Sequence, residues 1–310
     1  MFSNQIWGYS LAVLLSLGHI NPQSQATFST PDSLLLFGTY GELRIATPSR
    51  VQALRPLGEV AANQGYFVYP SISPRGDLLA WGFAKELQTE RTEHRARFAL
   101  GVFSLREEKW KTYGDFDDIG ATAFSGDGSK IAFVAEQRNK KELLILDVLK
   151  GTITNAPYPR GMPESASLSW SPDETQLAIE IQRGEKNPIV AILDLKTGNV
   201  QALGEGVNPT WSPTGEWISY YDPAGAKCLL VHPDRTGLKV TKKLSQSIIS
   251  YRRFGWGGPV WSPDGKRLLV NEIKGDGPHL DVVLLDLESG ESTTKLKNGL
   301  PAFGWVAGRQ

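Results

Sequence analysis

A single cysteine, Cys228, and four scattered histidines leave this chain of 310 residues little material for several kinds of chemistry. One thiol excludes an intrachain disulfide framework and any cysteine-rich zinc site. His19, His94, His232 and His279 show no metal-ligand spacing. Charge of one sign is also missing: 33 basic residues meet 33 acidic ones, so no excess marks a nucleic-acid or polyanion binder. The charged fraction of 21% beside 40% hydrophobic residues is not the composition of a disordered chain. What is plentiful is 32 glycines, 19 prolines and nine tryptophans, a mixture of many turns and many strands that favours an all-β chain.

The first 26 residues read separately from the rest. No charged residue precedes Asp32, and Ile6 to Gly18 is an apolar run followed by polar residues and Ser24-Gln25-Ala26. That run is shorter than the ~18–20 residues a spanning helix needs, while Ser and Ala at −3 and −1 suit a signal peptidase. The usual Lys or Arg ahead of the run is absent. The expectation is a cleaved signal peptide over 1–26 and a periplasmic or secreted protein from Thr27 onward, with no transmembrane segment after cleavage. An uncleaved anchor is the alternative.

From Ser73 the chain repeats itself. Pro70-Ser-Ile-Ser-Pro-Arg-Gly76, Ala123-Phe-Ser-Gly-Asp-Gly128, Leu168-Ser-Trp-Ser-Pro-Asp-Glu174, Pro209-Thr-Trp-Ser-Pro-Thr-Gly215 and Pro259-Val-Trp-Ser-Pro-Asp-Gly265 share one pattern. Proline pre-sets the first corner of a tight turn, aspartate bonds the local backbone and glycine takes a positive φ. Each turn leads into a short apolar run, such as Ile131-Ala-Phe133 or Leu268-Leu-Val270, which makes a β-hairpin. A second signal follows at near-constant distance. Leu146-Asp-Val148, Leu193-Asp-Leu195 and Leu285-Asp-Leu287, each with a glycine shortly after, place their Asp 22, 23 and 24 residues beyond the serine.

A sixth unit is split between the two ends. Pro301-Ala-Phe-Gly304 aligns with Pro259-Val-Trp-Ser262, while Thr30 to Phe37 reads as the turn and second strand and Glu42 to Ile45 as the third. Spacings from Ser73 through Gly304 are 52, 46, 41, 50 and 42, the length of a four-stranded propeller blade. The prediction is a six-bladed β-propeller of four-stranded antiparallel blades, its ring closed by pairing of N- and C-terminal strands. The turn, the strand after it and the LDL-x-x-G strand resemble the TolB-type propeller repeat over residues 28–310. The resemblance implies a bare TolB-like propeller over 27–310, without an accessory domain, acting as a cell-envelope scaffold.

With strands A to D running outward from the channel, the A–B and C–D turns lie on one face. The B–C and D–A connections lie on the other, and the longest insertions fall there: Ala84–Arg97, Tyr113–Gly120, Ala156–Glu164 and Gln246–Gly258. Loops on a rigid scaffold carry function disproportionately. Tyr251, Arg252, Arg253, Phe254 and Trp256 combine the residue types of interface hot spots and are the partner-binding candidates, packing between blades being the other reading. Asp115, Asp117 and Asp118 are weak candidates for a Ca²⁺ site, although the calcium-loop pattern is not met.

No catalytic residue is assigned. Asp77, Asp127, Asp173 and Asp264 read as turn caps, and no serine sits in a G-x-S-x-G elbow. No glycine-rich phosphate loop follows a strand. Trp170, Trp211 and Trp261 recur at one repeat position and read as blade-to-blade packing, Cys228 as a small buried apolar residue, and His94 as part of a solvated charge run. The expectation is a monomeric, non-enzymatic scaffold that holds a protein or peptide through one face and the channel mouth. The alternative is a propeller enzyme of lactonase or lyase type with a metal in its channel.

Overall fold

The computed structural model describes residues 33–37, 43–46, 51–53, 68–87, 96–107, 109–163, 167–184, 186–222, 227–243, 258–273, 280–299 and 302–306. Among them there is no helix, hence none long and apolar enough to cross a membrane. The strands form six four-stranded sheets. Blade 1 joins the chain ends: β1 (Ser33–Phe37), β2 (Leu43–Ala46) and β3 (Val51–Ala53) follow β24 (Ala302–Val306), which lies innermost. Blade 2 holds β4 (Val68–Ile72), β5 (Leu78–Leu87), β6 (Ala96–Ser104) and β7 (Lys109–Phe116). Blade 3 holds β8 (Asp118–Phe124), β9 (Lys130–Gln137), β10 (Lys140–Asp147) and β11 (Thr152–Ala156). Blade 4 holds β12 (Leu168–Trp170), β13 (Gln176–Ile181), β14 (Ile189–Asp194) and β15 (Val200–Glu205). Blade 5 holds β16 (Val207–Trp211), β17 (Ile218–Asp222), β18 (Lys227–Val231) and β19 (Leu238–Lys243). Blade 6 holds β20 (Val260–Trp261), β21 (Arg267–Ile273), β22 (Leu280–Asp286) and β23 (Ser292–Gly299).

β24 runs antiparallel to β1, with Gly304 opposite Leu35. The inner strands touch in a closed cycle, β24 to β4, β8, β12, β16, β20 and back to β24. The six-bladed propeller and its closure by the two chain ends are therefore as predicted.

The repeated turn is a six-residue device. In each of the five units the amide of the fourth residue donates to the serine carbonyl over 2.8–3.0 Å. The serine Oγ accepts from the amide five residues on, over 2.9–3.1 Å. Where an aspartate is present the same hydroxyl donates to it: Ser73 to Asp77, Ser125 to Asp127, Ser171 to Asp173 and Ser262 to Asp264. The fourth residue has φ between 58° and 78°, which is why four of the five are glycine. These serines and aspartates are structural, as expected.

The core lies between blades. Trp170 packs with Ala123, Ala132 and Leu143 of blade 3 and Leu177 of its own blade. Trp211 joins Val190 and Ile192 of blade 4 to Ile218 and Leu229 of blade 5. Trp261 joins Val207 and the buried Cys228 of blade 5 to Leu268 and Val283 of blade 6. Strand alternation explains the division of labour. The residue before the serine reaches back, so Trp170 Nε1 donates to the Ala123 carbonyl at 3.0 Å and Trp261 Nε1 to that of Thr210 at 3.1 Å. The residue two before it reaches forward: Ser169 Oγ accepts from the Trp211 amide at 2.8 Å, and Thr210 Oγ1 donates to the Pro259 carbonyl at 2.6 Å.

Three of the expected insertions fall partly or wholly on described residues. β5 and β6 remain paired up to Leu87 and Ala96, so both flanks of Ala84–Arg97 are strand. Tyr113–Gly120 is strand, one bend residue at Asp117, and strand again. In Ala156–Glu164 the side chain of Met162 is buried in the core between blades 3 and 4, and Tyr158 Oη donates to its carbonyl at 2.6 Å.

Candidate functional site

On the face bearing the A–B and C–D turns, the described aspartates of the repeated turns are bonded within the turns themselves. Asp147, Asp194 and Asp286 cap the C–D turns by accepting from amides of the next two to three residues. Hydrogen bonds from backbone amides and hydroxyls hold the carboxyls of Asp127, Asp173, Asp194, Asp264 and Asp286 below the usual carboxylate range. His232 lies on this face too, stacked on Trp217 at 3.7 Å with Nδ1 2.9 Å from the Glu216 carbonyl.

The opposite face is assembled differently. Among the described residues the buried charged side chains are Glu180, Glu272 and Asp281, exposed by 1%, 4% and 9%. All three are carboxylates at the loop-face ends of their blades: Glu180 near the end of β13, Glu272 near the end of β21, Asp281 at the start of β22. Glu272 and Asp281 are cross-strand partners, which brings two carboxylates onto one side of blade 6. Burial of a carboxylate carries a large desolvation cost, so these positions stand apart from an otherwise apolar interior.

Glu180 is the best defined of the three. Between Val207 and Thr210 the register of β16 against β17 jumps. Asn208, inside that bulge, has φ 54°, and its amide donates to Glu180 Oε1 at 2.8 Å. Ser167 Oγ donates to Asn208 Oδ1 at 2.9 Å. Beside it, Tyr221 of blade 5 is fully buried and its Oη accepts from the Asn271 amide of blade 6 at 3.3 Å. Burial pushes the Tyr221 phenol well above its ordinary value, so it stays neutral. Serine, carboxylate, amide and phenol thus line the ends of the inner strands from blade 4 to blade 6.

The acidic cluster of blades 2 and 3 forms an arginine clamp. Arg97 donates to Asp115 Oδ2 at 2.9 Å, to the Asp115 carbonyl at 2.9 Å, and to Asp117 Oδ1. Asp117 Oδ2 takes the Arg138 amide, and Asp118 Oδ1 takes the amide of Ile119 at 2.8 Å. The hydrogen bond to Asp115 is the main cause that raises the Arg97 guanidinium above its ordinary value. Asp115 and Asp117 therefore face a cation supplied by the chain itself. No group of three or more His, Cys, Asp or Glu among the described residues has a metal-holding arrangement.

Tyr251, Arg252, Arg253, Phe254 and Trp256 lie outside the described residues, as does His94. Sequence reading passed over Glu180, Asn208, Glu272 and Asp281. The signal available for Glu180 was a glutamate inside Leu177-Ala-Ile-Glu-Ile181, an apolar strand that tolerates no charge without a reason.

No family model matches the chain. It is 26% identical over 207 residues to the uncharacterized peptidase YuxL of Bacillus subtilis (strain 168), covering 60% of this chain and only 29% of that protein. TolB from Acinetobacter baumannii superposes with a TM-score of 0.65 at 16% identity, over 89% of this chain and 66% of that one. An oligogalacturonate lyase in complex with manganese reaches a TM-score of 0.51 at 14% identity, over 87% and 74%. Likeness at this level is likeness of architecture, and with six closed blades it makes the chain a TolB-like β-propeller in fold.

Proposed function

We propose that this chain is an exported, non-enzymatic propeller that holds a protein or peptide partner on the face of its B–C and D–A connections and at the channel mouth. The observation that carries this reading is the asymmetry of the two faces. Short turns with satisfied aspartates make up one, while buried carboxylates and the longer connections gather at the other. The resemblance to TolB supports an envelope scaffold, and the leader-like residues 1–26 support a periplasmic or secreted protein that starts at Thr27. Tyr251, Arg252, Arg253, Phe254 and Trp256 are the proposed contact residues.

The test is capture of a partner from an envelope extract by the purified 27–310 chain, read by mass spectrometry. A specific, saturable protein lost on triple substitution Tyr251→Ala, Arg252→Ala and Arg253→Ala, with an unchanged melting transition, supports the reading. Capture that survives the substitutions removes those residues from it.

A second reading is a propeller enzyme with a metal in its channel, favoured by the manganese-bound lyase and the peptidase relative. Metal analysis after dialysis decides between them: one retained divalent ion per chain would favour the enzyme.

A further inference from the structure

We infer that Glu180 and Asn208 are positioning residues: they brace the point where the chain from 244–257 enters blade 6, and thereby set the geometry of partner capture. The inference rests on the loop-face reading above. Gly258 and Pro259 are both buried at the root of β20. A Cβ on Gly258 would stand 2.4 Å from the Asn208 carbonyl oxygen and 3.1 Å from Thr210 Cγ2, so the root of the segment is pressed onto the bulge of β16. The next residue is tied down as well, because Thr210 Oγ1 donates to the Pro259 carbonyl at 2.6 Å.

The bulge that receives this root does not hold its shape alone. Asn208 occupies the left-handed region, which asparagine tolerates better than other side-chain-bearing residues. Glu180 of blade 4 holds it there by taking the Asn208 amide across the blade boundary. Ser167 of the same blade fixes the Asn208 side chain. A line of contact therefore runs from blade 4 through Asn208 to Gly258, two residues after Trp256 in the sequence. The same register shift recurs in β4, between Val68 and Ser71, and in β8, between Ile119 and Thr122, but among the described residues of these three bulges Asn208 is the one with positive φ.

The test is amide hydrogen exchange on the 27–310 chain, alongside partner capture. Gly258→Ala and Glu180→Leu are expected to speed exchange across 258–261 by about tenfold while peptides from β9 and β10 keep their rates, and capture falls in step. Glu180→Gln, which retains an acceptor oxygen, recovers most of the protection. If Gly258→Ala does not fold, Thr210→Val removes the bond to Pro259 at constant volume and is expected to give the same local loosening. Unchanged exchange at 258–261, or equal acceleration everywhere, overturns the brace. Lost capture without local loosening overturns it too, while sparing the loop-face reading. Local loosening with undiminished capture upholds the brace and overturns the loop-face reading instead.

Discussion

Glu174 stands where the other four turns have glycine, and it adopts φ 58°. For a residue with a side chain that conformation costs roughly 1–2 kcal/mol. The carboxylate offsets it by reaching the preceding blade, where it meets Lys130 Nζ at 2.5 Å and accepts from the Asp127 amide at 3.4 Å. With Lys130 41% exposed, the ion pair is worth only about 0.2–1 kcal/mol. Strain and pair nearly cancel, so Glu174→Gly is expected to change the unfolding free energy by less than ~1 kcal/mol. Glu174→Ala keeps the strain and loses the pair, and should cost only the pair's about 0.2–1 kcal/mol in urea titration. Equal effects of the two substitutions would show that the turn carries no strain. The capping aspartates set the acid response. Folding depresses the carboxyls of Asp127, Asp173 and Asp264 below their ordinary 3.8. Their contribution is therefore complete above that value and drains away as the pH falls through the lower folded values. Urea midpoints should hold between pH 7 and 5 and decline below 3.8. Asp127→Asn should be less stable at pH 6 but lose less on acidification, since it has no proton to gain.

At the scale of the strand, Gly304 tests how far the repeat can be read literally. Sequence alignment sets it where the other units have serine, so restoring Ser looks stabilising. In β24 a Cβ at Gly304 would lie 2.1 Å from Ile72 Cγ2 in β4, a branched side chain with little room to turn. Gly304→Ser is expected to lower stability by about 1–3 kcal/mol, the usual cost of overpacking. A rise in the melting temperature would mean the turn hydroxyl outweighs the collision. The same contrast marks what was legible beforehand. The serine turns could be read because donor, acceptor and positive φ all fall within six residues of one another. The strand ends could not: Ala84–Leu87 is held in strand by its ladder with β6, and Asp117 is the lone residue between β7 and β8. The candidate site was least visible of all. Arg97 meets Asp115 and Asp117 only through the pairing of β6 with β7 and the passage into β8, and Glu180 meets Asn208 only across blades. Neither pairing leaves a local signature beyond a charge in an apolar strand.

For the whole molecule the decisive feature is that blade 1 is built from both ends of the chain. In an open repeat array each unit leans on its neighbours alone, and losing a terminal piece costs little more than that piece. A closed ring behaves otherwise. β24 pairs with β1 and touches both β4 and β20, so its removal breaks the contacts of blade 1 with blades 2 and 6 at once. It also bares the edge of β1, a template for pairing with another chain. Deletion of residues 300–310 is therefore expected to replace one cooperative unfolding transition by a broader one at lower denaturant, and to produce concentration-dependent association in size-exclusion chromatography with light scattering. A synthetic peptide of residues 300–310 added in trans should reverse both effects, because strand addition supplies the same main-chain hydrogen bonds. The open-array alternative predicts a monomer with a nearly unchanged main transition and no response to the peptide. Those two outcomes cannot coexist, so the truncation separates a closed ring from a stack that merely curves.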